Sequence, residues 1–132
     1  MIIFVYIIAG VVFLFVGLQL FMVLSAKRTK GTKLSGLSGN LKSLERNGSN
    51  GLVYFFSPSC RACTMQTPVI KDLQKNHKNI FDVDISRDIK TARIFGVKAT
   101  PTTVAVKNGV IDKVFVGFKQ QRIIEKHLME MR

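Results

Sequence analysis

A chain of 132 residues with 20 Lys and Arg against 8 Asp and Glu, net charge +12, has room for one small domain and an appendage. Its two cysteines and two histidines exclude a disulfide framework of spread pairs and leave too few ligands, at unsuitable spacings, for a structural zinc site. The basic excess (+5 in residues 27–50, +7 in 51–132) suits an anionic bilayer surface or an acidic partner; with no nucleic-acid motif beside it, no nucleic acid is expected.

Ile2 to Leu24 carries no charge, and Gln19 is its only strongly polar residue. About 20 apolar residues in helical form span a bilayer core, so residues 1–26 are expected to be a transmembrane anchor. A cleaved signal peptide would want a basic leading region and a small-x-small cleavage site, and Leu24-Ser25-Ala26 matches poorly. Lys27, Arg28, Lys30 and Lys33 follow at once. Excess Lys and Arg mark the cytoplasmic flank of such helices, which favours a cytoplasmic domain, with the extracytoplasmic side as the alternative.

Residues 27–50, rich in Gly, Ser, Lys and Asn, read as a basic flexible linker with a short helix around Leu41 to Arg46. The folded domain is expected to be residues 51–132. Leu52 to Phe56 is a continuous apolar run, as in a strand buried on both faces. Arg61 to Asn76 has Met65, Val69, Ile70 and Leu73 at helical spacing, with Pro68 inside. Ile80 to Ile85 reads as a second strand and Asp88 to Phe95 as a short helix closed by Gly96. Thr102 to Val106 is a third strand, Asn108-Gly109 a hairpin turn, Lys113 to Val116 the return strand and Gln120 to Met131 a terminal helix. Helical crossovers predict parallel pairing among the first three strands. His77 and His127 are expected to be solvated helix residues.

Cys60-Arg61-Ala62-Cys63 places both cysteines after the first strand and a Ser57-Pro58-Ser59 turn, at the start of a helix. Such a pair closes and reopens a small disulfide with little backbone movement. Amides and dipole at the first helical turn favour a thiolate at Cys60.

With these residues, and with Ala99-Thr100-Pro101-Thr102, Lys107-Asn108-Gly109 and Val116-Gly117, residues 51–132 resemble the thioredoxin family. The resemblance implies an α/β thioredoxin-like fold, a four-stranded mixed sheet flanked by helices. It implies that Cys60 is the exposed nucleophile and Cys63 the resolving thiol, with no cofactor besides their redox-active disulfide. Pro101, cis as in the family, would set the Thr100 backbone beside Cys60 for an extended substrate, with Gly117 supporting the site. Ser59 and Arg61 would flank the nucleophile.

The chain departs from the family pattern in three respects. Arg61-Ala62 stands where thioredoxins have Gly-Pro, and the fixed charge would favour thiolate and a more oxidising couple. Ser59 replaces a tryptophan and removes an apolar platform. Tyr54 stands in the place of a buried aspartate, and Asp82 in that of a lysine. Asp82, hydrogen-bonded to the Tyr54 hydroxyl, is one expected acceptor of the Cys63 proton; the alternative is an exposed Asp82 capped by a lysine.

The resulting expectation is a membrane-tethered thiol–disulfide oxidoreductase acting on thiols and disulfides of proteins near the lipid bilayer. A thioredoxin-fold binding module without redox turnover and a soft-metal chaperone are the alternatives.

Overall fold

The computed structural model describes the backbone of residues 1–132 and the side chains of all but those at 22 and 25–28. Its elements are α1 (Ile2–Thr29), a 3₁₀ segment (Gly39–Glu45), β1 (Gly51–Phe56), α2 (Cys63–Asn76), β2 (Ile80–Asp84), α3 (Ile89–Ile94), β3 (Thr102–Lys107), β4 (Val110–Val116) and α4 (Gln121–Glu130). The sheet order is β2-β1-β3-β4. β1 runs parallel to β2 and antiparallel to β3, and β3 and β4 form an antiparallel hairpin.

β1 is central, which is why its sequence does not alternate. Leu52 and Tyr54 face a core with Ile70, Leu73, Phe115, Ile124 and Leu128 of α2, β4 and α4. Val53 and Phe55 face a second core with Phe95, Val104, Ile111 and the leucines at 34, 37, 41 and 44. A strand buried on both faces can carry no polar stripe.

The expected parallel pairing of β3 is corrected: β3 is antiparallel to β1. α3 has six residues. At about 1.5 Å per residue it rises roughly 9 Å. A strand of that residue count covers roughly 20 Å, so α3 by itself does not carry the chain back along the sheet, and residues 95–101 do not make up the distance. β3 starts at the end where β1 and β2 stop.

The flexible linker is corrected too. Gly31 N–H donates to Ile111 O at 2.7 Å, Ile111 N–H to Thr32 O at 3.0 Å and Leu34 N–H to Gly109 O at 3.1 Å. Residues 31–34 thus cover the first part of the outer edge of β4, where unpaired backbone groups would otherwise invite other strands. Leu34, Leu37, Leu41 and Leu44 are buried, so the packed domain starts near Gly31 rather than Gly51. Gly109 fits this contact for two reasons. Its φ is +77°, in a turn with Asn108 at φ +54°, and a Cβ there would approach Glu45 O to 3.0 Å.

The helices also differ in detail. α2 buries Gln66, Ile70 and Leu73, while Met65 is 58% exposed. His127 is not solvated: it lies edge-on to Phe115, with Nε2 2.9 Å from Asp112 Oδ2 and Nδ1 3.5 Å from Glu130 Oε2. His77 is half-buried at the C-terminal cap of α2. Asp88 caps α3, accepting from Thr91 N–H at 3.0 Å and from the Thr91 hydroxyl at 2.6 Å.

Leu34→Ala and Leu44→Ala should each lower the unfolding free energy by about 2–5 kcal/mol in urea titrations, as buried leucines do and linker residues do not. A fragment starting at residue 31 should fold, and one starting at Gly51 should not. Asp88→Ala should cost about 1 kcal/mol of stability at neutral pH. The Thr91 hydroxyl, and then its amide, hold the Asp88 carboxyl below the ordinary range. A lowered folded pKa stabilises fully above the unfolded pKa, and that stabilisation is lost as pH falls through the folded pKa. The stability gap between native chain and variant should therefore narrow in acid.

Candidate active site

Strand register assembles the site at one end of the sheet. Phe55 pairs with Thr102, and Thr102 pairs with Val116. The residues just outside these pairs are the Ser57–Cys60 turn, Thr100-Pro101 and Gly117. The Thr100–Pro101 peptide bond is cis. Gly117, at φ +77°, donates its N–H to Pro101 O at 2.8 Å, joining two of the three loops.

Cys60 and Cys63 form a disulfide with their Cα atoms 5.3 Å apart. α2 begins at Cys63 with Ala62 as its N-cap, so Cys60 sits just outside the helix. It is still served by the helix end, because the Cys63 N–H points at Cys60 Sγ at 3.2 Å. That amide is an orphan donor of the first turn, and a thiolate at Cys60 would accept it more strongly. Cys60 is half-buried and Cys63 only 4% exposed, which separates an accessible sulfur from a shielded one. Arg61 and Ser59 are exposed at the rim, and the Ser59 hydroxyl pairs with Ser57 Oγ at 3.0 Å.

A shallow cavity of about 340 Å³ opens beside the sulfurs, lined by Phe56, Ser57, Pro58, Cys60, Cys63, Thr64, Thr67 and Pro68. Tyr54 and Asp82 do not meet there as expected. The Tyr54 hydroxyl is 2.9 Å from Thr67 Oγ1. Asp82 Oδ1 accepts from Gln74 Nε2 at 2.8 Å, and its Oδ2 lies 3.4 Å from Lys71 Nζ. The Tyr54–Asp82 hydrogen bond is therefore replaced by the lysine-capped alternative: Asp82 projects toward the exposed flank of α2, while Tyr54 reaches its buried underside. Burial raises the Tyr54 pKa, the Thr67 hydrogen bond opposes that rise, and the Asp82 charge adds to it, so the phenol stays neutral.

One residue was missed in the sequence. Gln66 is fully buried and clamps both backbone groups of Lys119, accepting from its N–H at 2.7 Å and donating to its carbonyl at 3.3 Å. This ties α2 to the Gly117–Lys119 loop, and through Gly117 to Pro101. The available signal was its position: Cys63, Gln66, Ile70 and Leu73 fall at spacings of three and four, on one helix face.

The Thioredoxin family model matches residues 40–130. The thioredoxin of Bacillus subtilis is 31% identical over 96 residues, covering 66% of this chain and 92% of that protein. Thioredoxin 2 of Plasmodium falciparum is 38% identical over 79 residues, 49% of this chain and 50% of its own length. Among solved structures, the reduced thioredoxin pre-protein of Schistosoma mansoni superposes with a TM-score of 0.60 at 30% identity, over 72% of this chain and 92% of that one. Oxidised mitochondrial thioredoxin 3 of Saccharomyces cerevisiae shares the fold, with a TM-score of 0.55 at 21% identity over 63% of this chain and 79% of that one.

Gln66→Leu should remove both hydrogen bonds to the half-buried Lys119 backbone and cost about 1–3 kcal/mol of stability, read by chemical denaturation.

Proposed function

The chain belongs to the thioredoxin family and is a thiol–disulfide oxidoreductase, and from that premise we propose that it exchanges electrons with protein disulfides and dithiols at a membrane surface, through Cys60 and Cys63 and without a cofactor. The observation that carries the reading is the pairing of an accessible Cys60 sulfur, served by the Cys63 amide, with a shielded Cys63.

In the reducing direction Cys60 Sγ⁻ attacks a partner disulfide. One partner sulfur leaves as thiolate, and the other stays bonded to Cys60. Cys63 then loses its proton, attacks Cys60 Sγ and displaces the second partner thiolate. Two electrons pass from the dithiol to the partner, and the Cys60–Cys63 disulfide remains. The reverse order oxidises a dithiol. The Thr100 backbone, beside Pro101, offers hydrogen bonds to an extended partner segment. Gly117 holds that loop, and Arg61 and Ser59 meet the partner at the rim.

The membrane part of the proposal rests on α1. Residues Ile2–Phe21 form a helix long and apolar enough to cross a bilayer, with none of the window buried against the domain. Lys27, Arg28, Lys30 and Lys33 at its C-terminal flank favour the cytoplasmic side for residues 31–132.

Cys63→Ser should accumulate a mixed disulfide with partner proteins, visible as a higher band on non-reducing gels, and Cys60→Ser should abolish it and all reductase activity. The native chain should stay in the membrane fraction after carbonate washing. A reporter fused after Arg132 should be active only as a cytoplasmic reporter; activity as an extracytoplasmic one would reverse the assigned side.

A further inference from the structure

The resolving step requires the Cys63 thiol to lose a proton while it is shielded from bulk solvent. Only groups lining the cavity beside the sulfurs can receive or relay it. Among the described residues that lining contains no carboxylate. Asp82, the acid expected from the sequence as a Cys63 proton acceptor, is held by Gln74 and Lys71 on the outer flank of α2. Three hydroxyls remain, those of Ser57, Thr64 and Thr67. Ser57 pairs with Ser59 at the exposed rim. Thr64 Oγ1 donates to Arg61 O at 2.6 Å, also on the exposed side. Thr67 lies four residues after Cys63, so both side chains share one face of α2, directed toward the sheet. Its Oγ1 is 2.9 Å from the hydroxyl of Tyr54, a residue 1% exposed.

We propose that Thr67 and Tyr54 are the positioning residues for proton exit from Cys63. Thr67 Oγ1, oriented by the Tyr54 hydroxyl, seats a water in the cavity beside Cys63 Sγ. In the mixed disulfide between Cys60 and a partner, the Cys63 S–H bond breaks and its proton passes to that water and on to solvent. The Cys63–Cys60 S–S bond forms as the Cys60–partner bond breaks, and the departing partner thiolate takes a proton from solvent. Since neither hydroxyl titrates near neutral pH, the resolving rate should follow a single ionisation, that of Cys63, with no carboxylate limb in acid. The hydroxyl pair would thus do with neutral groups what a buried carboxylate would do with charge.

The inference rests on the oxidoreductase reading, and one experiment separates the two. The full chain in detergent, fully reduced, is mixed with one equivalent of an aromatic disulfide whose thiolate absorbs in the visible. Attack by Cys60 releases one thiolate, and resolution by Cys63 releases the second. Thr67→Val and Tyr54→Phe should each leave the first phase unchanged and slow the second about tenfold, the loss of roughly one hydrogen bond in the transition state. Thr67→Ser should restore the second phase. The double variant should be no slower than either single one, because both act through one water. Second phases at the native rate, a second phase equally slow in Thr67→Ser, or an acid limb in the native second phase would overturn the proposal. Absence of the first phase in the native chain would overturn the redox reading and this inference with it.

Discussion

The position of β1 in the middle of the sheet is the constraint from which the rest follows. It has a strand on each edge and a core on each face, so it must be apolar throughout and must end where its partners end. Because β3 runs antiparallel to it, the start of β3 lies at the finish of β1, and the hairpin returns β4 to the same level. The residues that leave the sheet at that end carry Cys60, Pro101 and Gly117. Three loops far apart in sequence are brought together by register, and the Gly117 N–H bond to Pro101 O then fastens two of them. A parallel β3 would have sent Thr100-Pro101 to the opposite end.

α2 depends on β1 in turn. It lies over the Leu52 and Tyr54 face through Ile70 and Leu73, and Tyr54 reaches up to Thr67. A carboxylate at position 54 would have to be buried, and a buried ion needs a partner. The phenol needs only one hydrogen bond, which Thr67 supplies. Asp82 on the next strand pairs with Tyr54 in the parallel register, yet its side chain projects to the flank, where Lys71 and Gln74 meet it. The residue pair that would set a charge under the sulfurs has become a neutral buried hydroxyl and a paired surface acid. The group that does meet the Cys60 sulfur is the Cys63 amide.

What was legible in the sequence follows this logic. The double burial of β1, the Asn108-Gly109 turn and the Cys60–Cys63 pair are local signals, each set by a few neighbouring residues, and the fold and family could be inferred from them. The direction of β3 was not legible, because it depends on how far α3 travels rather than on any residue in β3. The packing of the N-terminal segment is hidden because its Gly, Ser and Lys content reads as linker. Its leucines at 34, 37, 41 and 44, spaced by three and four, are the trace of its packing. Gln66 was invisible as a site residue for a related reason. Its partners are backbone groups of Lys119, which leave no mark in composition. The Tyr54–Thr67 contact needed the helix phase, which the exposed Met65 shows was read about one position off.

The packing of residues 31–34 also changes what an anchor at α1 would do. α1 ends at Thr29, and Gly31 already donates to Ile111. A flexible linker of about 24 residues would let the domain wander over roughly 25–30 Å. Here almost no free chain separates helix from domain, and Lys98, close to the Pro101 loop, lies 5.8 Å over the ring of Phe21, the last residue of the apolar span of α1. With α1 in the bilayer, as proposed, the domain would be held against the surface in a restricted set of orientations, with the loop that receives substrate near the lipid headgroups. Effective concentration would then rise only for disulfides presented at that height, because a tether without slack excludes sites it cannot span. Selection of clients would come from geometry at the membrane, which fits a site that has Ser59 where an apolar side chain would otherwise grip a partner.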